Sequence, residues 1–201
     1  MGYYIRLLGT KDPNIHLDEL LQALEKKALS AKLSIPENET PDNWSILEVA
    51  NENGDILTQI GRNPIIEGEL GKEELEEFRK EIQECKPTTA VQWLTKYFDN
   101  IQVIYAFQLL DNAFEDNNFS IISTIKEKMW NNTGGIFQAD GEGFSNEDGY
   151  HILWQFSDTV TGDWHCAVLN NKGKWERFLM DLGNKQQRQD FWAGKVPSST
   201  T

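Results

Sequence analysis

The chain has 201 residues, of which 39% are hydrophobic and 11% aromatic, and its formal net charge is −13. This apolar content argues against intrinsic disorder, and no apolar run approaches the roughly 20 residues that a membrane-spanning helix needs. The excess of carboxylates repels phosphate backbones and anionic membranes, so we expect neither a nucleic acid nor a membrane as partner. The acidic surface either keeps the protein in solution or attracts a basic partner.

The N-terminal segment and the cysteines bear on the cellular compartment. The opening residues, MGYYIRLLGT, lack the charged start and apolar stretch of a secretory signal, and Arg6 breaks the myristoylation pattern. Cys85 and Cys166 are too few and too far apart for a disulfide framework or a CxxC metal site. We therefore expect a cytoplasmic protein with two reduced thiols.

The first third of the chain predicts a strand, a helix and a hairpin. Tyr3–Leu8 is short and rich in β-prone residues, which indicates a first strand. Apolar residues from Leu17 to Ala28 recur at the spacing that puts one face of a helix into a core. Two apolar runs, Trp44–Val49 and Ile56–Ile60, flank Asn53-Gly54, a pair that supplies the positive φ angles of a tight hairpin turn.

The middle of the chain predicts three helices and an interior strand. Helical spacing of apolar residues identifies the helices, and a short run dense in β-branched and aromatic residues identifies the strand. These segments are the acidic surface helix Lys72–Cys85, a buried helix capped by Thr88 or Thr89, the strand Ile101–Leu110, and a helix over Phe119–Trp130 that stops before Gly134.

The segment from Gly134 to Leu182 alternates aromatic-rich runs with turn signals, which is typical of an antiparallel meander. A hairpin centred on Val160 would place Gln155 opposite His165. After the meander, Asn184 and Gln187 have the spacing of a helix cap and its reciprocal partner. The last residues, 198–201, are expected to form a loose tail.

These elements predict an α+β fold, with a mainly antiparallel sheet system of about eight strands, a C-terminal four-stranded meander, and helices packed against the sheet. We expect one compact domain over residues 1–197. The alternative is a pair of lobes, 1–110 and 119–197, because the segment between them is polar and acidic.

Four carboxylates, those of Asp140, Glu142, Glu147 and Asp148, lie within nine residues of the meander. The segment has oxygens enough for Ca²⁺, but its spacing does not match an EF-hand loop. We expect its glycines to serve turns and Asp140 and Asn146 to hydrogen-bond local amides, so we predict no metal and no cofactor.

Two histidines of the meander are candidate acid/base groups. On the expected hairpin, His151 and His165 share a face but lie too far apart along the ladder for one zinc ion, so we interpret both as partly exposed structural residues. Cys166 follows His165 directly, and consecutive strand residues point to opposite faces. We therefore interpret Cys166 as a small core residue and not as a nucleophile with a neighbouring base.

The aromatic side chains of the meander exceed what one buried sheet face accommodates. Either helices from the first half cover the second face, or that face is an interface. Lys174 and Glu176 beside Trp175 indicate a strand at the rim of the sheet. The predicted partner-binding residues are Trp175, Trp164, Glu147 and Asp148.

No GxSxG, HExxH or P-loop pattern is present, and Gly141-Glu142-Gly143 is too short for a dinucleotide fingerprint. The sequence therefore favours a non-enzymatic, cytoplasmic protein-binding module, such as an inhibitor or immunity-type partner of a basic protein. The alternative is a small enzyme that uses the Asp140–Asp148 loop with His151 or His165. Its candidate catalytic residues are His151, His165, Asp140 and Glu142.

Overall fold

The computed structural model describes residues 2–197, apart from the side chain of Asp116. It confirms the α+β class, with five helices and ten strands where about eight were expected. The chain forms two compact units. The first comprises residues up to Lys72 together with Ile101–Gly135, and the second comprises Glu73–Asn100 together with the residues from Ile136 onwards. The predicted domain and lobe boundaries stay predictions, and the predicted tail, 198–201, lies outside the described residues.

The first unit is built on five antiparallel strands in the order β1-β5-β4-β3-β2. Strand β5, between β1 and β4, is dense in β-branched and aromatic residues, and Tyr105 and Phe107 are fully buried, which confirms the predicted interior strand. The elements are β1 (Tyr3–Gly9), α1 (Leu17–Lys26), β2 (Lys32–Ser34), β3 (Ile46–Ala50), β4 (Ile56–Pro64), β5 (Val103–Leu109) and α4 (Asp116–Thr133).

Helix α1 and the β3–β4 hairpin follow the predicted pattern with two corrections. Leu20 and Leu24 are buried, but α1 ends at Lys26, since Ala28 has a φ of +54° that no right-handed helix accepts. In the hairpin only Gly54 has a positive φ, +91°, and Asn53 does not. The turn is longer than the predicted tight turn, because Asn51 N–H donates to the Asp55 carbonyl at 3.0 Å.

The second unit also has five strands, in the order β10-β9-β8-β7-β6. None of the helices within residues 2–197 is both long and apolar enough to cross a bilayer. The elements are α2 (Leu70–Glu81), which starts in the last residues of the first unit, α3 (Thr88–Tyr97), β6 (Ile136–Ala139), β7 (Gly143–Ser145), β8 (His151–Trp154), β9 (Asp163–Leu169), β10 (Trp175–Asp181) and α5 (Lys185–Trp192).

The predicted hairpin centred on Val160 is wrong, because β8 and β9 run parallel and pair through His151 and Cys166. Arg188, buried in α5, holds the connection between these strands. Its guanidinium donates to the carbonyls of Asp158 at 2.8 Å and Val160 at 2.6 Å. The connection is thereby fixed as a loop that returns the chain to the start of β9, so that Gln155 does not face His165.

The helices of the second unit have only one of the predicted caps. Helix α3 begins after Pro87, whose carbonyl accepts from Ala90 N–H at 3.0 Å, so neither Thr88 nor Thr89 is the cap. The side chain of Asn184 caps α5 as predicted. Gln187 is not its reciprocal partner, since its side-chain oxygen accepts from Asp181 N–H at 2.8 Å.

The core of the second unit lies between the β9–β10 hairpin, β8 and α5. Cys166 is fully buried there, which confirms its interpretation as a core residue. The buried cluster consists of Trp154, Phe156, Cys166, Val168, Met180, Leu182 and Phe191.

Candidate protein-interaction surface

Alternate residues of β9 and β10 form one side of the second unit's sheet, which we call the outer face, and apart from the fully buried Ala167 its residues are exposed or half-buried. Residues directly opposite each other in an antiparallel ladder project to the same side. The other side of the same two strands is core, where Cys166 and Met180 are fully buried. The outer face consists of the cross-strand pairs Trp175–Leu169, Arg177–Ala167, Leu179–His165 and Asp181–Asp163.

The outer face begins at an aromatic end. Trp175 lies edge-on to Trp93 of α3 at 5.2 Å, and Trp93 stacks on Tyr97 at 4.5 Å. The Tyr97 hydroxyl donates to the Glu147 carboxylate at 2.9 Å, and its burial, with Glu147 adding to the effect, raises the pKa of Tyr97 above its usual range. Helix α3 therefore covers this end of the face and fixes Glu147 at its rim.

An exposed ion pair lies along the middle of the outer face. The Arg177 guanidinium donates to the Asp148 carboxylate at 2.6 Å and lies 4.8 Å from the centre of the Tyr150 ring. Asp148 raises the pKa of Arg177 further, so the guanidinium is charged at any physiological pH. Tyr150 in turn lies edge-on to His165 at 6.1 Å. Both charged side chains are about half exposed, so the pair adds little to stability and is open to a partner.

The outer face ends in two opposed carboxylates. Asp163 and Asp181 are direct cross-strand partners, and both residues are exposed. Neither forms a salt bridge within residues 2–197, although an Asp181 oxygen accepts from Gly183 N–H at 2.8 Å. Like charges directly opposite each other destabilise a ladder. Beside them Leu179 is 56% exposed, so an apolar side chain adjoins an acidic end that no cation neutralises in the described chain.

The outer face thus combines aromatic, apolar and acidic groups in one continuous strip. Family models, curated proteins and solved structures yield no match to this chain. Half-buried aromatic rings, an arginine and a rim of charges are the chemistry of a protein-binding surface, and the strip holds no nucleophile beside a base.

The structure brings three of the four predicted partner-binding residues to the outer face. Trp175 is part of it, and Glu147 and Asp148 lie at its rim. Trp164 is on the opposite side of β9, where it lies edge-on to Phe156 at 5.4 Å and is 37% exposed.

Five residues of the outer face and its aromatic end were not predicted from the sequence: Arg177, Leu179, Asp163, Asp181 and Trp93. The alternation of Leu179 with Met180 marks one of them as outward-facing, but alternation does not say which side of an edge strand stays uncovered.

The acidic segment of the meander is divided by strand β7. Asp140 and Glu142 precede the strand, and Glu147 and Asp148 follow it, each of the latter with its own partner. Within residues 2–197 no group of three or more acidic, histidine or cysteine side chains is placed to hold a metal ion. The side-chain oxygen of Asn146 accepts from Asp148 N–H at 3.1 Å and Tyr150 N–H at 2.9 Å, which confirms its predicted turn role.

The two predicted histidines differ in environment. His165 is exposed on the outer face, as expected, but His151 is buried, with only 5% of its surface accessible. Its ring lies 4.8 Å from that of Phe156 and stacks near Phe191 of α5, and its Nε2 atom has no hydrogen-bond partner among the described residues. Burial lowers the pKa of His151 to about 3, against a backbone hydrogen bond with Leu153 that acts in the opposite direction.

Proposed function

We propose that the protein binds a basic protein partner through the outer face and catalyses no reaction. The observation that carries this proposal is the exposed, unneutralised group formed by Leu179, Asp163 and Asp181, at the opposite end of the outer face from the aromatic rings. Leu179 is 56% exposed on a face that also carries aromatic rings and a charged rim, and this combination is typical of a protein interface.

The sign of the partner's charge follows from the charges on and around the outer face. Four carboxylates, those of Glu147, Asp148, Asp163 and Asp181, lie there against the single guanidinium of Arg177. The whole chain adds to this field with a net charge of −13. A partner that brings lysine or arginine to the Asp163–Asp181 end relieves their repulsion and associates faster because of the long-range attraction.

A role as inhibitor or immunity-type partner of a basic protein fits this surface, because such a protein acts by covering its target. We place the protein in the cytoplasm. In support, Cys85 and Cys166 are unpaired thiols, as is usual in a reducing compartment.

The proposal is tested by affinity purification from the native cell at low and at raised salt. A basic protein should be retained at low salt and released as salt screens the attraction. The variant Asp163→Asn, Asp181→Asn should retain much less of it. The matched control Glu73→Gln, Glu77→Gln removes the same charge from exposed positions of α2 and should retain as much as the parent.

Side-chain truncations locate the contact. Leu179→Ala should weaken binding of the recovered protein without a change in melting temperature, because this side chain is mostly exposed. Trp175→Ala should weaken it by about 2 kcal/mol or more, the scale of an interface anchor. Since Trp175 also packs on Trp93, its melting curve is recorded beside the binding assay. Stable Leu179 and Trp175 variants that bind like the parent would contradict the proposal.

The enzymatic alternative stays a prediction that no observation favours. Its residue His151 lies in an aromatic cluster and is nearly inaccessible, and His165 neighbours a tyrosine and a leucine on an open face. A folded His151→Gln, His165→Gln protein that no longer performs an activity of the parent would support the alternative. Unchanged binding of a basic partner by that variant would support the binding proposal.

A further inference from the structure

The outer edge of β10 carries backbone groups that the second unit leaves open. In an antiparallel ladder, alternate residue pairs exchange both backbone hydrogen bonds, and the residues between them turn their N–H and C=O outwards. Asn170 N–H donates to the Lys174 carbonyl at 2.9 Å, and Leu182 N–H donates to the Gly162 carbonyl at 2.8 Å. These two bonds bracket the β9–β10 ladder and set its phase. The outward-facing residues of β10 are therefore Trp175, Arg177, Leu179 and Asp181.

One end of this edge is closed and the rest is open. Asp181 N–H donates to the Gln187 side chain, and the Asp181 carbonyl accepts from Asn184 N–H at 3.0 Å, so α5 protects that position. The backbone N–H and C=O groups of Trp175, Arg177 and Leu179 have no partner among residues 2–197.

Two common protections of an edge strand are missing from β10. Its register with β9 is continuous from Trp175 to Asp181 without a bulge, and the strand has no proline. Native proteins usually blunt an exposed edge by such devices, because an open edge pairs with any extended chain. Strand β10 does carry the charged residues Glu176, Arg177 and Asp181, which also limit edge pairing, so the charges on this edge restrict which extended chain it receives.

We propose that a basic, extended segment of the partner adds to the edge of β10 as an antiparallel β-strand. This inference rests on the proposed function and names the partner segment that the face receives. Backbone bonds to Trp175, Arg177 and Leu179 supply affinity, and side chains of the added strand supply specificity.

The charges decide the occupant of the edge. Residues of an added strand that pair with Arg177 and Leu179 project onto the outer face, towards the carboxylates of Asp148, Asp163 and Asp181. Lysine or arginine fits this side best at the positions opposite Leu179 and Asp181, whereas the position opposite Arg177 faces a guanidinium that Asp148 already neutralises. Intervening residues project beside Phe178, which is half-buried, and fit as apolar residues. A second copy of this chain brings another net charge of −13 to the same place and is disfavoured.

A peptide of alternating lysine and valine, Lys-Val-Lys-Val-Lys-Val-Lys, is the probe. Amide hydrogen exchange by NMR is measured on the parent protein with and without it. In the free protein the amides of Trp175, Arg177 and Leu179 should exchange rapidly, while those of Glu176 and Phe178 are protected by β9. With saturating peptide the exchange of the first three should slow at least about tenfold.

Two N-methylated peptides form the matched controls. In antiparallel addition the lysine amides face β10 and the valine amides face away. Methylation of the two central lysine amides should weaken binding at least about tenfold, and methylation of two valine amides should leave it unchanged. A Glu-Val peptide of the same length should not bind, because its charges repel those of the outer face.

A matched pair of protein variants tests the same edge. Leu179→Ala keeps the backbone N–H, and Leu179→Pro removes it without breaking a bond to β9. The proline variant should lose at least about tenfold more affinity for the Lys-Val peptide than the alanine variant. If Leu179→Pro has a lower melting temperature than the parent, its loss of affinity is not used. The amide exchange of the parent protein with and without the peptide is then the test of strand addition.

Several outcomes overturn strand addition. Equal binding of both methylated peptides without protection of the β10 amides shows docking by side chains alone, which leaves the proposed function standing. Equal binding of the Glu-Val peptide removes the charge argument. Self-association of the protein that Leu179→Pro abolishes makes a second copy the occupant. No binding of the Lys-Val peptide at millimolar concentration refutes strand addition. The proposed function fails instead if affinity purification recovers no basic protein, or if stable Leu179 and Trp175 variants bind the recovered protein like the parent.

Discussion

Protonation of the buried His151 should destabilise the protein in mildly acidic solution. In the folded state its pKa is lowered to about 3, from an ordinary value of 6.5, because burial beside Phe156 and Phe191 disfavours the charged ring. The unfolded chain therefore binds a proton below pH 6.5 that the folded chain does not bind. The stability contributed by neutral His151 is complete above pH 6.5 and is lost progressively as pH falls from there towards 3.

The size of the effect follows from the two pKa values. Between pH 7 and pH 5 the unfolded histidine changes from mostly neutral to almost fully protonated, while the folded one stays neutral. Integration of the proton difference over this range gives a loss of about 2 kcal/mol in the free energy of unfolding. A loss of that size is a large part of the stability of an ordinary domain.

Urea denaturation at several pH values between 5 and 7 measures this slope. In His151→Gln the side chain does not titrate, so the change between pH 7 and pH 5 should be about 2 kcal/mol smaller than in the parent. Carboxylates and the other histidines are common to both proteins and cancel in the difference. His165→Gln removes an exposed histidine instead and serves as the control. A parent and a His151→Gln protein with the same pH slope would refute a neutral, buried His151.

Three further predictions concern local structure and metal dependence. Gly54→Val should destabilise the protein by about 1–2 kcal/mol through its positive φ alone, since nothing lies within 4 Å of an added Cβ; an unchanged urea midpoint would remove the turn assignment. Gly143→Ala should lower the free energy of unfolding by about 3 kcal/mol or more, because its Cβ would lie 2.0 Å from the Leu153 carbonyl oxygen at a φ of +125°. The control Gly141→Ala, where nothing lies within 4 Å of an added Cβ, should lower it by about 1 kcal/mol. Equal denaturation midpoints of the two variants would contradict this contact. EDTA should leave the melting temperature unchanged, and a stabilisation by Ca²⁺ that Asp140→Asn, Glu142→Gln abolishes would contradict this expectation.

Sequence patterns correctly predicted those helices and strands that depend on residues close together in the chain. The apolar spacing from Leu17 onwards identified the buried side of α1, where Leu20 and Leu24 lie, because helical spacing alone decides which residues share a side. The parallel pairing of β8 with β9 could not be predicted in this way. It depends on Arg188 bonding to Val160, 28 residues earlier in the chain, and no short window of sequence contains both residues.

The candidate surface was predictable only in part for the same reason. Trp175, Glu147 and Asp148 were predicted from residue type and from the charges beside them. Leu179 was not, since its exposure depends on how far α3 extends over the outer face. The burial of His151 likewise depends on Phe191, which reaches it from a helix some forty residues later.

The division of each unit into separated stretches of chain bears on how the protein is made. Strand β5 lies between β1 and β4, so the first unit is incomplete until residues 101–135 have been synthesised. Roughly sixty further residues, added at 5–20 residues per second, then take about 3–12 s to complete α5. During this interval we expect residues 73–100 to remain open to proteases while α4 is already protected. Equal protection of both segments on ribosome-bound chains would show that the two units form together.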